Sequence, residues 1–397
     1  MLATAAAVQK VCVVSYFDHN ATTPLSALAR EAWLRAADEA WQNPSSPYRD
    51  AARVRVRLEQ CREQLARLLD GVADRVVFNS GATEGANAVL AHWVETLPQG
   101  RQVAINPTEH PCVIEAARRA LPPGRLAWLE IDADGVVRLD RLEARLAGGS
   151  VGAVSVMAAN NETGVMQPWR EISGLCRRHR AAYHCDASQW LGKLSAAGLG
   201  AAGWVTATAH KFGGPKGAGF LILPEQAEGF RSQRGGEQEH GHRAGTEDFP
   251  AIAALVAALA EAEATKVPPA AERMRWRDGF ISQVCSRLPG VRVVGARAER
   301  LWNTVSLVMP HADNHRWVLK LDRRGFQVST GSACATGKAG PSPVLAALGL
   351  AADEARRAIR LSAGWETTPD DWSQLAAALA ATEVELRTGA SPGVARA

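Results

Sequence analysis

Between residues 20 and 250 short apolar segments alternate with helical patterns, and that alternation leaves few folds open to the chain. Residues 75–78, 102–105, 152–157, 182–186, 203–208 and 219–223 read as strands. Amphipathic stretches at 84–97, 113–121, 140–146 and 170–180 separate most of them. Strand and helix in turn predict an α/β fold, with a mostly parallel sheet of about seven strands covered by helices on both faces. Thr23-Pro24 reads as an N-cap followed by proline at the first helical position, opening a helix that runs to about Trp41. The pattern changes after Pro250: a long Ala-rich helix, a second helix after Pro268-Pro269, strands at 291–294 and 304–308, and a helix at 314–324. The expected division is a large α/β domain over 18–255 and a smaller α+β domain built from 1–17 and 256–397.

A chain of 397 residues exceeds what one core holds, since single cores stop growing near roughly 250–300 residues. With 45 basic and 41 acidic side chains the net charge is only +4, which gives no reason to expect nucleic acid or a lipid surface as ligand. No leader-like N-terminal signal and no apolar run of about 18 residues is visible, so a cytoplasmic protein with no membrane partner is expected. The seven cysteines (12, 61, 112, 176, 185, 285 and 334) are odd in number and contain no Cys-x-x-Cys pair. This excludes a zinc or dithiol reading and suits a reducing compartment. Most lie in apolar segments as packed thiols. Cys334 lies in a small-residue stretch, 329–343, bracketed by glycine and proline, where an exposed thiol is a candidate nucleophile.

The chemistry is concentrated at strand ends. Lys211 closes the apolar run 203–208 and precedes a glycine-rich turn, and Asp186 closes the run 182–186. A lysine held out of water frees its amine for Schiff-base formation. Paired with an acid for a pyridinium nitrogen, it makes the arrangement that pyridoxal 5'-phosphate requires. Residues 78–85 (Phe-Asn-Ser-Gly-Ala-Thr-Glu-Gly) join a strand to a helix through small residues. By itself that turn is equally a connection with no ligand; beside Lys211 and Asp186 it reads as a phosphate cup, with Ala82, Thr83 and Thr208 on it. His110 follows another strand, where an imidazole can stack on a ring or move protons. The cluster 159–164 (Ala-Asn-Asn-Glu-Thr-Gly) reads either as an Asn/Gly turn or as a substrate-orienting group. Arg360, in Ile-Arg-Leu-Ser, suits a bidentate carboxylate or a surface ion pair.

Taken together these motifs resemble the cysteine desulfurases of the class-V aminotransferase group, built on the PLP-dependent transferase fold type I. The resemblance extends from Phe17 to Trp365 and passes through Asn43-Pro-Ser-Ser46, Ser80–Gly85, Thr108–His110, Asn160–Gly164, Asp186, His210-Lys211 and Arg243–Thr246. The segment around Cys334 is similar to the long-loop subgroup. The resemblance implies that Lys211 holds the cofactor, that Asp186 pairs with its pyridine nitrogen and that Gln189 contacts its phenolic oxygen. His110 would stack on the ring. Thr83, Thr208 and His210 would bind phosphate, with Thr246 reaching across from a second subunit of a homodimer. Asn160 and Arg360 would hold the carboxylate of L-cysteine, and Cys334 would carry away its sulfur as a persulfide for a sulfur-acceptor protein. The chain departs from the family pattern at Glu237, His240, Tyr48 and Trp365. Two other enzymes of the same fold fit part of this set, a selenocysteine lyase and a thiol-independent aminotransferase; a sulfur carrier retaining the cofactor only for structure is a third alternative. Cys334 with intact Lys211 and Asp186 favours the desulfurase.

Overall fold

The computed structural model describes residues 14–265, 268–331 and 342–388. It begins with a short strand β1 (Ser15–Tyr16) and helices α1 (Ala27–Glu39) and α2 (Arg49–Leu68). Then come β2 (Val76–Asn79), α3 (Ala82–Thr96), β3 (Gln102–Ile105), α4 (Pro111–Ala120), β4 (Leu126–Trp128) and α5 (Leu139–Ala147). β5 (Val151–Ser155), α6 (Trp169–Arg178), β6 (Ala182–Asp186), β7 (Trp204–Thr208) and β8 (Gly219–Ile222) complete the alternating region. Helices α7 (Phe249–Ala264) and α8 (Ala270–Arg287) lead into β9 (Arg292–Val293), β10 (Thr304–Val308), α9 (Asn314–Asp322) and β11 (Phe326–Gln327). The chain continues through α10 (Pro343–Ala347), α11 (Ala352–Arg356) and β12 (Ala358–Ser362) to α12 (Pro369–Thr388).

Seven strands form one sheet in the order β2-β8-β7-β6-β5-β3-β4. Only β8 runs against its neighbours, so the carboxyl ends of β2, β3, β5, β6 and β7 share one edge. The apolar side chains of β5 to β8 are buried because helices cover both faces. One core cluster joins α1, α2 and α7 to the sheet, and another packs α3 and α4 on it through Trp93, Val103, Ile105 and Trp204. A second sheet, β12-β10-β9, is antiparallel and packs Leu307 and Leu361 against Phe280, Trp317 and Trp372. The N-terminal strand belongs to this second core: β1 pairs with β11, and Phe17 packs edge-on against Trp372.

One local expectation is corrected. The first helix starts at Ala27, with Ser26 as its cap: the Ser26 hydroxyl accepts from Ala29 N. Thr23 is diverted, donating its hydroxyl to His210 O and accepting from Gly213 N. It therefore binds the N-terminal segment to the Lys211 turn. Helix α2 and strand β4 carry no clear sequence signal. In α2 the run Arg-Val-Arg-Val mimics strand alternation, yet Ala51, Val54, Leu58, Arg62 and Leu65 are buried at helical spacing.

Candidate active site

The lysine, the acid and the turn before α3 all lie on the carboxyl edge of the large sheet, where open α/β sheets bind ligands. Asp186, the last residue of β6, is buried, and its Oδ1 accepts from Ser188 N (2.9 Å). Two residues back on the same face, His184 links Ser155 Oγ and Thr206 Oγ1 (2.8 and 2.9 Å) and supports the central strands from beneath. Lys211 lies just past β7 in a single helical turn, and its Nζ donates to Asn20 O (2.6 Å) and Ala21 O (2.7 Å). Gln189 Nε2 donates to that same Asn20 carbonyl (3.0 Å).

Close packing at the turn between β2 and α3 leaves no room for a side chain at Gly219 and little at Gly81. A Cβ on Gly219 would lie 2.4 Å from Gly81 Cα, and one on Gly81 would lie 3.2 Å from Thr208 Oγ1. Gly81 has φ +148° and caps α3 without any side-chain hydrogen bond. The first amides of a 15-residue helix are thereby left for an anion, with Ala82 at the first helical position and Thr83 and Thr208 beside them. His210 Nδ1 pairs with Thr22 Oγ1 (3.0 Å); burial and the cations Lys211, Lys216 and Lys193 lower its pKa to about 4. Glu84, in the first turn of α3, accepts from Ser80 and from Arg243, so the turn is tied to the segment that carries Thr246.

His110 caps α4, with Nδ1 accepting from Cys112 N (3.2 Å). That bond fixes the neutral tautomer with the proton on Nε2. Burial first, and then Lys211, lower its pKa, against an opposing pull from Asp186. The preceding Glu109 is wholly buried and pushed up to about 8, mainly by desolvation.

Arg360, on β12, faces the same region from the second sheet and is 1% exposed. Its Nη2 donates to Asp18 Oδ1 (2.6 Å), and Nη1 to Asn161 O (3.1 Å) and Gly331 O (2.9 Å). Its Nε is buried and finds no partner among the described residues. Asn160 is committed to its own loop: Nδ2 donates to Thr108 O, and Oδ1 accepts from Glu162 N and Thr163 N. Beside it, Asn161 has a buried Oδ1 without a partner among the described residues. Cys334 lies outside the described residues. The chain on either side of it is held at the site: Gly331 O by Arg360, and the Ser342 hydroxyl by the buried Glu162 (2.6 Å).

Residues 15–375 match the class-V aminotransferase family. A cysteine desulfurase IscS of Dictyoglomus turgidum is 32% identical over 90% of this chain and 91% of its own length. The chain belongs to the cysteine desulfurases of that family. Another relative, cysteine desulfurase IscS 1 of Archaeoglobus fulgidus, is 34% identical over 94% of this chain and 98% of its own. A solved NifS-like protein superposes with a TM-score of 0.84 at 27% identity, covering 94% of this chain and all of the other. Members of the family are PLP-dependent enzymes with this fold. Sequence reasoning missed Asp18, Asn20 and Lys193, which the fold brings to the site, and it included Asn161 only as part of the 159–164 cluster. Only the run 17–24 (Phe-Asp-His-Asn-Ala-Thr-Thr-Pro) hinted at the first two.

Proposed function

We propose that this chain is a PLP-dependent desulfurase that moves sulfur from L-cysteine onto Cys334, releases L-alanine and passes the sulfur to an acceptor protein. The residues present fit the cofactor. The side-chain-free cradle at Gly81 and Gly219, the uncapped start of α3, and the hydroxyls of Thr83 and Thr208 with His210 form a donor set for a phosphate. Asp186 supplies the acid for a ring nitrogen, and the Lys211 amine is held beside Gln189 through a shared carbonyl. When bound, pyridoxal phosphate supplies the electron sink that makes bonds at the amino acid's Cα and Cβ labile.

Arg360 binds the substrate carboxylate through its unpartnered Nε edge, with the Asn160-Asn161 loop beside it. Lys211 takes the proton from Cα once its amine is free. His110 carries its proton on Nε2 and takes up another only by breaking its cap on Cys112 N, so it serves as a donor near the substrate thiol. The Cys334 thiolate attacks the substrate sulfur: an S–S bond forms, the Cβ–S bond breaks, and the electron pair left on carbon is protonated on the way to alanine.

One observation carries the thiol-dependent reading. Gly331 is bonded to the carboxylate-binding arginine, and the three residues from Gly331 to Cys334 span at most about 11 Å. A transaminase has no need of a thiol tethered there. Thr246, exposed at the end of the segment held by Arg243, completes the phosphate site of a second subunit in a homodimer. Among the described residues no helix is long and apolar enough to cross a membrane; a cytoplasmic enzyme supplying sulfur for iron–sulfur cluster assembly fits this reading.

The test is single-turnover chemistry with L-cysteine. Cys334→Ser should bind substrate, as a shift of the visible band, yet yield almost no alanine or protein-bound sulfur. Lys211→Ala should lose the borohydride-sensitive band altogether. Alanine formation at the wild-type rate by Cys334→Ser would overturn the reading in favour of a thiol-independent lyase.

A further inference from the structure

Lys193 is a buried cation without a counter-ion. It is 7% exposed and makes no ion pair with a carboxylate among the described residues. The charged or titratable groups that face it are Lys211, Arg360, His19 and His210, none of them acidic. Uncompensated buried charge is costly, and a lysine placed among other cations adds repulsion. Burial, then Lys211 and Arg360, bring its pKa down to about 7. A plain packing role would be better filled by leucine or methionine.

Among the described residues, one side-chain hydrogen bond of Lys193 explains its position. Residues 187–194 coil after β6, with Trp190 N and Leu191 N both bonded to Ala187 O. Gln189 and Lys193 therefore lie four residues apart on one side of the coil. Lys193 Nζ donates to Gln189 Oε1 (3.0 Å), while Trp302 Nε1 holds the Lys193 carbonyl (2.8 Å). On the other end of the Gln189 amide, Nε2 donates to Asn20 O, the carbonyl that also accepts from Lys211 Nζ. Below its pKa of about 7 Lys193 is an ammonium with only protons to offer, and the Asn20 carbonyl has only lone pairs, so these two neighbours admit one orientation of the amide. Gln189 Nε2 is thereby turned to the Lys211 side, with one N–H still to give.

We infer that Lys193 is a positioning residue of the cofactor site, holding the Gln189 amide so that Nε2 meets the ring oxygen beside the Lys211 linkage. The inference rests on the proposed function, in which Lys211 carries pyridoxal phosphate. In that cofactor the ring oxygen is on the carbon next to the one that joins the lysine, so a donor beside the lysine nitrogen is a donor to the oxygen. A proton leaving the lysine-linked nitrogen leaves that oxygen more negative, and a donor fixed on it favours the deprotonated state. Without Lys193 the Gln189 oxygen loses its partner, only the Asn20 carbonyl is left to hold the amide, and the donor is weakened.

The experiment is a pH titration of the visible absorption of the holoenzyme. Lys193→Met should raise the midpoint by about one to two pH units, the worth of one hydrogen bond to a charged atom. Gln189→Leu should raise it similarly, and the double variant should match Gln189→Leu alone. Lys193→Arg, which keeps a donor, should stay near the wild type and serves if Lys193→Met does not fold. A Lys193→Met midpoint equal to wild type, or a double variant shifted well beyond Gln189→Leu, would overturn the inference, the latter by showing that the charge acts independently of the amide. Absence of a visible band from wild-type protein would count against the cofactor reading instead.

Discussion

Asp18 Oδ1 accepts from Arg360 Nη2 at 2.6 Å, so the guanidinium assigned to the substrate carboxylate already carries an internal one. Asp18 is on the N-terminal segment that also gives Asn20 O and Ala21 O to Lys211. One four-residue stretch, 18–21, thus sets both the arginine and the lysine. Glu162, whose pKa burial raises, is the other acid whose charge Arg360 feels.

From that contact follows a split between binding and turnover. Asp18→Asn keeps the hydrogen-bonded shape and removes the charge, so a carboxylate ligand meets an arginine whose charge is no longer offset by Asp18. Binding of unreactive L-alanine should tighten by about tenfold, roughly 1.4 kcal/mol. The turnover number should fall, because the stronger pull on the carboxylate shifts Cα away from Lys211. Spectral titration with L-alanine and steady-state kinetics read the two effects separately. Weaker binding with unchanged turnover would show that Asp18 only props up the guanidinium.

The large sheet was legible in the sequence because each of its buried strands is a short, unbroken apolar run, and the chemical residues stand where those runs end. Lys211, Asp186 and His110 were found by that rule. Lys193 and Asp18 were not. Lys193, in Trp190-Leu191-Gly192-Lys193-Leu194, has no pattern around it that marks it, yet in the fold it is buried, with Trp302 Nε1 bonded to its carbonyl. Asp18 acquires its meaning from Arg360, 342 residues away. Asn160 and Asn161 are adjacent and chemically identical; only the fold shows that the first ties its own loop together and the second faces the arginine. Thr23 looked like a cap because the local pattern Thr-Pro is one, and a tertiary bond to His210 O outweighed it.

Glu239 shows a second feature that no local pattern announces. It is paired bidentately with Arg62 (2.8 and 3.0 Å), both side chains 1% exposed, and also accepts from Phe78 N. The pair fastens the segment leading to Thr246 onto β2, with Glu239 itself at φ +50°. Glu239→Gln leaves the buried Arg62 guanidinium with only the partly exposed Glu59 as counter-charge and should destabilise the protein by about 3 kcal/mol in urea unfolding. Adding Arg62→Met should recover part of that loss. A cost below about 1 kcal/mol would mean that the pair is hydrated in solution.

Acid should weaken the fold from near neutrality. His184 and His19 are each lowered to about 4, chiefly by burial, with Lys193 adding to the effect on His19. Between about pH 6.5 and 4 the unfolded chain binds protons there that the folded chain does not. Their contribution is complete above about pH 6.5 and is lost as pH falls through about 4, with a slope of up to roughly 1.4 kcal/mol per pH unit for each group. His19→Gln should flatten that slope by one group's share, since His19 Nδ1 is buried without a partner among the described residues. Unfolding free energy that stays constant from pH 7 to pH 5 would contradict the assignment.

The phosphate cradle offers the most direct steric test. A methyl group on Gly219 would meet Gly81 Cα at 2.4 Å, Ala207 O at 2.5 Å and Gly81 N at 2.9 Å. All three are backbone atoms, so no side chain can swing aside; either β8 moves or the turn before α3 does. Overpacking of this kind costs about 1–3 kcal/mol. The turn is the weaker of the two, because β8 is paired on both sides by β2 and β7. The displacement should therefore fall on the amides at the start of α3. Gly219→Ala should weaken retention of pyridoxal phosphate by at least about tenfold in equilibrium dialysis, from the loss of one or two phosphate hydrogen bonds. Gly217→Ala is the control: its Cβ meets nothing within 4 Å, and any cost there comes from φ +76° alone. If Gly219→Ala retained the cofactor as tightly as wild type while losing stability, the strain would lie in the sheet and the phosphate would be held elsewhere.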